Sequence, residues 1–517
     1  MIFLPIVLGG FVFINASGHT RASIGFLVVS SLFFYGWWEP AYLLLITSSI
    51  VFNFVIARIL SKQTQQSRTA KSLLIIGVST NLGALGFFKY TNFFIDTFTS
   101  LSGKTFDGIY IILPLAISFF TFQQIAYLVD VYRKQADETD LLSYSLFVTF
   151  FPQLVAGPIV HHSEMMGQFK KPFARGNELW SNISVGLTIF TIGLFKKVVI
   201  ADKMAFWSDR VFNGAQLGGD PTFIEAWVGV ISFTFQIYFD FSGYSDMAIG
   251  LARMFGIRLP LNFDSPYKAT NIVDFWRRWH MTLSRFLRDY VYFPLGGNRN
   301  GRARRYTNLM IVMALGGLWH GAGWTFVLWG ILHGAYLALN HLWWNIVGHG
   351  DEHEGRRLGR TKRWTGRIVT LLSVSFAWTL FRAESLDSAI RIYKGLFTFN
   401  GIVLPPHYQE IMGDMGTSIA SLGVGFANIP HYGGGMQLVW IVGVLMLVWL
   451  MPSTQEFMCK FDPALDFDTN RKPQILGKRV WAWQPSLKAG AAFGLAALFL
   501  TTILLQGQSG EFIYFQF

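Results

Sequence analysis

Residues 274–300 read DFWRRWHMTLSRFLRDYVYFPLGGNRN, and residues 308–334 read NLMIVMALGGLWHGAGWTFVLWGILHG. The second stretch is apolar enough for a lipid bilayer, yet it holds His320 after ten apolar or small residues. Ionisable groups at membrane depth are costly, so they are functional candidates by default. The two stretches therefore predict a membrane-embedded helical fold with a polar site inside it.

The composition of the whole chain is that of a membrane protein. Of its 517 residues, 52% are hydrophobic and 14% are charged, whereas about 25% are charged in a soluble domain. Apolar runs recur along the full length, which predicts an all-α polytopic membrane protein with about 11–13 transmembrane and re-entrant helices. We treat residues 1–517 as one membrane-embedded domain, with N-terminal spans in 1–110, a catalytic core in 111–347 and C-terminal spans in 366–517.

The charge pattern predicts the orientation in the membrane. The net charge is +12, and the basic residues cluster in short loops near 62–71, 133–134, 299–305, 356–367 and 471–479. Short basic loops face the cytoplasm, so both termini are predicted to lie on the outer side of the membrane. The same pattern excludes a nucleic-acid-binding protein, because there is no basic tail or continuous basic patch. The apolar N-terminus has no positive leader region and is interpreted as a retained first span.

The cysteine content limits the chemistry. Cys459 is the only cysteine, which excludes intramolecular disulfides and thiolate metal clusters and makes a cysteine nucleophile improbable. No histidine pair has the spacing of a metalloprotease motif, so we expect no metal site and no bound cofactor. Motifs of covalent serine enzymes and of ATP-driven pumps are absent from the sequence.

His320 is the first candidate for chemistry. Imidazole titrates near pH 6.5, which suits acid–base catalysis at neutral pH. The glycines of GGLWHGAG around it allow a close backbone approach or a helix break, which gives room for a substrate. The alternative is a structural histidine that hydrogen-bonds a neighbouring helix.

His280 and His333 are the next candidates. His280 follows Trp276-Arg277-Arg278-Trp279, and it either shares a reaction centre with His320 or lies on an interfacial basic helix. We predict one span over 306–330 and a second over 331–347. His333 lies thirteen residues beyond His320, so on a straight helix the two could not share one depth, and His333 is interpreted as structural or supporting.

Residues 264–300 are amphipathic and do not resemble a simple span. Asp274/Arg278 and Arg285/Asp289 are spaced for i,i+4 ion pairs on a helix. Pro294 and the Gly296-Gly297 pair should end that helix. Such a segment either lies at the membrane interface or re-enters the membrane and lines a cavity.

Two further segments carry polar residues among apolar ones. Residues 235–250 read FQIYFDFSGYSDMAIG, and residues 150–165 read FFPQLVAGPIVHHSEM. Polar or broken helices are tolerated at membrane depth when they are buried in protein or line a wet cavity. Asp240 and Asp246 could therefore either serve a substrate path or form hydrogen bonds between helices.

Taken together, several motifs resemble the alginate O-acetyltransferase branch of the membrane-bound O-acyltransferase family. The motifs are long and specific, and the similarity is densest over residues 114–335. Besides the two opening stretches, they are PQLVAGPIV (152–160), YFDFSGYSDMAIGLARMFG (238–256), NFDSPY (262–267) and FIYFQF (512–517).

This resemblance implies a ring of tilted helices around a central tunnel and the location of the active site. The family's invariant histidine corresponds to His320, and its second active-site position, a histidine in this branch, corresponds to His280. Acetyl-CoA is then the donor, and periplasmic partner proteins carry the acetyl group to an exopolysaccharide, with alginate favoured. The implied location is the bacterial inner membrane. Candidate substrate-binding residues are Arg277, Arg278, Trp279, Asp240, Tyr244, Asp246, Trp319 and His333.

The resemblance also suggests a mechanism and its rivals. His320 would accept the proton of an acceptor hydroxyl, and His280 would orient or polarise the thioester carbonyl. The arginine-rich segments 277–288 and 299–305 would hold the phosphates of the donor. One rival is a sister transferase for cellulose, peptidoglycan or D-alanylation of teichoic acid. The other rival is a transporter of lipid or glycan, which would give the two histidines no specific role and for which we see no inverted repeat.

Overall fold

The computed structural model describes residues 2–104, 106, 108–109, 111–136, 140–155, 157–347, 359–429, 431–475, 478–507, 510 and 512–513. Over these residues the chain is helical apart from loops and two pairs of two-residue strands. The predicted all-α class is confirmed.

The described residues in the first third of the chain form nine helices. Polar caps define several of their starts; for example, the Ser67 side chain accepts a hydrogen bond from the Ala70 backbone N–H at 3.1 Å. A π-helical segment, Gly86–Tyr90, joins the fourth and fifth helices without a break. The helices are α1 Phe3–Ala16, α2 Thr20–Trp38, α3 Ala41–Ser61, α4 Arg68–Leu85, α5 Thr91–Ser102, α6 Ile117–Tyr132, α7 Leu141–Thr149, α8 Phe151–Leu154 and α9 His162–Phe169.

The central third carries the candidate site. Its longest helix spans 32 residues and begins with a capping box in which Thr222 and Glu225 satisfy each other's backbone N–H groups. A second π-helical segment, Lys196–Ala201, joins α10 to α11, and a third, Arg288–Tyr292, follows α14. The helices are α10 Gly176–Phe195, α11 Asp202–Gln216, α12 Phe223–Met254, α13 Ile272–Trp276, α14 Met281–Leu287, α15 Gly301–His320 and α16 Trp324–Ile346.

The remaining elements lie towards the C-terminus. The first strand pair, Val403–Leu404 with Gly425–Phe426, is parallel, and the second, Gln474–Ile475 with Lys478–Arg479, is antiparallel. Both pairs are too short to form a sheet core. The helices are α17 Arg360–Arg382, α18 Leu386–Leu396, α19 Pro406–Met412, α20 Asp414–Ser421, α21 Gly435–Leu450, α22 Thr454–Phe457 and α23 Leu487–Leu505.

Four continuous helical stretches in the described part of the chain are long and apolar enough to cross a membrane. They are Ala41–Ser61, Arg68–Ser102, Gly176–Gln216 and Leu487–Leu505. The helices Phe3–Ala16 and Gly435–Leu450 are apolar but shorter. Other long helices, such as α12, carry buried polar side chains, so hydropathy alone understates their place in the membrane. The predicted count of about 11–13 spans therefore remains a prediction.

Close backbone contacts hold the central helices together. A Cβ atom built on Gly186 would lie 2.5 Å from Gly250 O, and one built on Gly193 would lie 2.5 Å from Gly243 O. These contacts join α10 to α12, because only small residues let two helix backbones approach so closely. Gly330 makes the same kind of contact between α16 and α15, where its Cβ would lie 2.1 Å from Met313 O.

We therefore expect Gly330→Ala to destabilise the α15–α16 hairpin. A methyl group cannot occupy that position without moving the helices apart, and overpacking of this kind costs about 1–3 kcal/mol. The apparent melting temperature in detergent should fall by several degrees. Gly494→Ala is the matched control, because a Cβ on Gly494 meets nothing within 4 Å. Equal melting temperatures for the two variants would show that the hairpin does not depend on this contact.

The amphipathic segment 264–300 is broken rather than continuous. The Arg278 Nε–Asp274 Oδ1 ion pair forms at 2.7 Å, as its spacing predicts. The predicted Arg285–Asp289 pair is wrong. Arg285 instead binds Glu164 at 2.7 Å and Asp466 at 3.1 Å. Both partners are distant in sequence, and the helix containing Arg285 runs only from Met281 to Leu287 before the winding changes.

Candidate active site

His320 is the last residue of α15, where the chain turns back through 321–323 into α16. Its ring is 3% exposed. Among the described residues, aromatic rings pack around it, with centroid distances of 5.0 Å to Trp319, 5.3 Å to Trp329 and 5.3 Å to Phe381. Burial among large apolar rings removes water from the imidazole and strengthens electrostatic interactions around it.

His280 sits at the break between α13 and α14. Its backbone is left-handed, with φ +44° and ψ +52°, a conformation that non-glycine residues adopt only when the surroundings hold them there. Its ring is fully buried, and its centroid lies 6.2 Å from that of His320. The structure thus brings together, in one buried space, the two histidines that the sequence singles out.

Asn262 fixes the hydrogen on the His280 ring. Asn262 Oδ1 accepts hydrogen bonds from the backbone N–H of Thr282 at 3.3 Å and from its hydroxyl at 2.9 Å. The same oxygen lies 3.1 Å from His280 Nδ1. Because this oxygen is an acceptor, neutral His280 carries its hydrogen on Nδ1 and presents a lone pair at Nε2. Nε2 is buried and makes no hydrogen bond within the described residues.

We expect Asn262→Ala to lower kcat about 10- to 100-fold, because residues that orient a functional histidine commonly contribute effects of this size. Asn262→Asp keeps the acceptor oxygen and should retain most of the activity. Acetyl-transfer kinetics and melting temperatures of the two variants are the measurement. Equal loss of activity in both would contradict the role assigned to the oxygen.

His333 lies closer to the site than a straight helix would allow. The predicted span boundary near residue 330 is wrong, since the chain reverses at 321–323 and α16 runs back beside α15. The Gly-Ala-Gly turn is as apolar as the helices on either side of it, so the hydropathy of the sequence does not show where the chain reverses. The His333 ring contacts Trp329 at 4.9 Å, and the Trp276 indole N–H donates to His333 Nδ1 at 3.3 Å.

A cavity of about 100 Å³ adjoins His320. Its walls come from the segment 113–119, from Val155, and from Lys89, Trp319 and His320. His280 is not among the residues that line this cavity, and its ring centroid lies 6.2 Å from that of His320. Of the candidate substrate-binding residues, Trp319 is the one that lines the cavity; direct substrate contacts of the others remain predictions.

Lys89 is the residue that the sequence analysis missed. It lies in the π-helical segment Gly86–Tyr90, and its ammonium donates to Trp319 O at 2.6 Å and His320 O at 3.2 Å. The adjacent Tyr90 hydroxyl donates to Leu318 O at 2.9 Å. The available signal was a lysine inside an apolar run, which is the same signal that singled out His320.

The acidic residues of α12 form ion pairs. Asp240 lies 2.7 Å from Lys197, and Asp246 lies 2.5 Å from Lys196. Asp240 also accepts a hydrogen bond at 3.1 Å from the backbone N–H of Ile513, near the end of the chain. One turn further along α12, Tyr244 stacks on Phe512 with centroids 4.5 Å apart. These contacts give the three α12 candidates, Asp240, Tyr244 and Asp246, a structural role.

In the basic stretch before His280, most side chains contact other groups of the protein. Besides pairing with Asp274, Arg278 donates to the backbone oxygen of Asp264 at 3.2 Å. Arg277 is exposed. Trp279 is fully buried and packs on Phe275 and Trp378. By contrast, Arg299, Arg302 and Arg304 are exposed around the start of α15.

Comparison with known proteins adds an independent finding. A model of the membrane-bound O-acyltransferase family matches residues 133–349. A peptidoglycan O-acetyltransferase of Helicobacter pylori is 46% identical over 430 residues, which cover 78% of this chain and 79% of that protein. A probable alginate O-acetylase of Pseudomonas aeruginosa is 40% identical, over 77% of this chain and 73% of its own length. One of Azotobacter vinelandii is 38% identical, over 84% and 83%.

Proposed function

The chain belongs to the membrane-bound O-acyltransferase family, and we propose that it takes acetyl groups from cytoplasmic acetyl-CoA and moves them across the inner membrane for O-acetylation of a polysaccharide. It is an acyltransferase embedded in a membrane. The donor, the direction of transfer and the acceptor are the proposed parts.

The observation that carries the proposal is the pair of buried histidines beside a cavity. His280 and His320 lie 6.2 Å apart between ring centroids, and the cavity reaches His320. Acyl transfer from a thioester to a hydroxyl needs a base at the hydroxyl and a dry site that favours transfer over hydrolysis. The aromatic rings around His320 supply the second requirement.

In the positive-inside orientation, the site has a cytoplasmic side and an outer side. The helix bearing His320 starts in the basic loop at Arg302, and eighteen residues of helix carry it roughly 27 Å towards the outer side. The segment 113–119, which follows the outer end of α5, forms the cavity wall. We therefore assign the cavity to the acceptor and the exposed arginines at 299–304 to the phosphates of the donor.

The reaction follows from these groups. The acceptor hydroxyl oxygen attacks the thioester carbonyl carbon while His320 takes the hydroxyl proton. The tetrahedral intermediate collapses, the carbon–sulfur bond breaks, and the CoA thiolate leaves and takes the proton from His320. Neutral His280 offers a lone pair at Nε2, which favours orienting the acceptor hydroxyl over polarising the thioester carbonyl by hydrogen-bond donation.

Two acceptor polymers have specific support. Several relatives are named as probable alginate O-acetylases, which supports alginate. The Helicobacter pylori relative, at 46% identity, is named as a peptidoglycan O-acetyltransferase, which supports peptidoglycan as the second candidate. In either case periplasmic partner proteins would complete the transfer, and both termini of the chain would be periplasmic.

The test uses purified protein in detergent with [acetyl-¹⁴C]acetyl-CoA. We expect release of CoA and, when periplasmic fractions with alginate or peptidoglycan are supplied, label in one of the two polymers. Which polymer is labelled decides between the acceptors. If the protein neither binds acetyl-CoA nor releases CoA in the presence of both polymers, the acetyl-CoA proposal is wrong.

A further inference from the structure

Lys89 has no role in the reaction proposed above, yet three of its properties are those of a functional residue. It lies in an apolar helical stretch, Arg68–Ser102, that is long enough to cross the membrane. It sits in a π-helical segment, a feature often found at functional sites. Its side chain lines the cavity that reaches His320.

Two lysines at the junction of α10 and α11 are neutralised by carboxylates. Lys196 binds Asp246 at 2.5 Å, and Lys197 binds both Asp240 and Asp202 at 2.7 and 2.8 Å. Within the described ranges, no carboxylate oxygen lies within 4.0 Å of the Lys89 ammonium. A cation held in the same kind of surroundings without a counter-charge indicates a site where negative charge appears during function.

The partners of Lys89 explain how its charge is placed. Two of its three N–H groups are directed to Trp319 O and His320 O, the last carbonyls of α15. The C-terminal end of a helix carries roughly half a unit of negative charge. That end would oppose an oxyanion formed beside His320. The Lys89 ammonium makes the local charge positive, and its third N–H is available to donate a hydrogen bond to a group in the cavity.

We propose that Lys89 is a catalytic residue that stabilises the oxyanion of the acyl-transfer intermediate. The proposal rests on the acyltransfer reaction proposed above. When the acceptor oxygen bonds to the thioester carbon, the carbonyl π electrons move to oxygen, and the Lys89 ammonium binds that oxygen. The charge returns to the carbonyl when the carbon–sulfur bond breaks. Lys89 keeps its proton throughout.

Stabilisation of the oxyanion is a role that His280 cannot perform. Neutral His280 uses its ring N–H on Asn262 and presents an acceptor at Nε2, so it cannot donate to an oxyanion. A preorganised donor aimed at developing charge is commonly the largest single contribution to such reactions. Among the residues that line the cavity, Lys89 is the lysine, and its protonated amine donates hydrogen bonds and accepts none.

The test compares Lys89→Gln with Tyr90→Phe. The glutamine amide has two N–H groups that can still cap Trp319 O and His320 O, but it has no charge. We expect kcat for acetyl transfer to fall about 10²-fold in Lys89→Gln, in the range found on loss of one oxyanion-hole donor. KM for acetyl-CoA and the melting temperature should stay near wild type. Tyr90→Phe removes the neighbouring cap on Leu318 O without changing charge, and kcat should stay within about threefold.

Two results with these variants would overturn the proposal. A kcat of Lys89→Gln within threefold of wild type would overturn it. Parallel losses of kcat and of melting temperature in Lys89→Gln and Tyr90→Phe would also overturn it, because they indicate a capping role alone. Lys89→Arg, which keeps the charge, should recover part of the lost kcat. An active wild type with an unaffected Lys89→Gln defeats only the lysine's role, whereas an inactive wild type defeats the proposed function and this inference with it.

Discussion

Replacing His320 with alanine abolishes acetyl transfer: we expect kcat to fall by at least about 10³-fold, within the range for loss of a general base. The effect is large because, in the described part of the chain, His320 is the histidine that lines the cavity. His320→Gln should be equally inactive, since an amide fills a similar volume but does not accept the proton. Release of CoA from acetyl-CoA is the measurement.

The control for His320→Ala is a histidine outside the site. His19 is exposed, and its ring contacts Ser17 at 3.1 Å, so His19→Ala should keep wild-type kinetics. Melting curves of the His320 variants should show a folded protein, which separates lost chemistry from lost structure. Retained activity in either His320 variant would sink the assignment of the base.

Replacing His280 with alanine should lower kcat about 10²-fold, because the reaction loses the lone pair that orients the acceptor hydroxyl. The backbone at residue 280 is left-handed, with φ +44°. This conformation costs an alanine residue about 1–2 kcal/mol, whereas glycine adopts it without strain. His280→Gly should therefore melt closer to wild type than His280→Ala yet be just as inactive.

A double variant tests whether the two rings act together. Residues that act as a unit have non-additive effects on rate, so His280→Ala with His320→Ala should be no slower than His320→Ala alone. If the two losses multiply instead, the histidines act independently. If His280→Gly keeps kcat within threefold of wild type, the ring has no part in the chemistry.

Part of the site can be predicted from residues that differ in polarity from their neighbours in the sequence. His320 and His280 stand out because imidazoles are unusual among apolar residues. Helical spacing predicted the Asp274–Arg278 pair correctly, but the same spacing gave the wrong pair for Arg285. Composition was enough for the all-α membrane class. These features need no knowledge of which distant segments meet.

What the sequence could not show depends on long-range contacts. The partners of Arg285 lie more than a hundred residues away in each direction, at Glu164 and Asp466. The reversal at 321–323 is as apolar as the helices it joins, so His333 was placed too far from His320. Lys89 was overlooked because its partners, Trp319 and His320, lie 230 and 231 positions further along the chain.

The hydrogen bond between Ile513 and Asp240 has a consequence for how the protein is made. The two residues are 273 positions apart, and ribosomes add about 5–20 residues each second, so Ile513 emerges roughly 14–55 s after Asp240. Throughout that interval the Asp240 carboxylate must wait among other helices without its backbone donor. Lys197 is synthesised earlier and pairs with it at 2.7 Å. Since Lys197 precedes Asp240 in the chain, this ion pair can balance the carboxylate charge before Ile513 is synthesised.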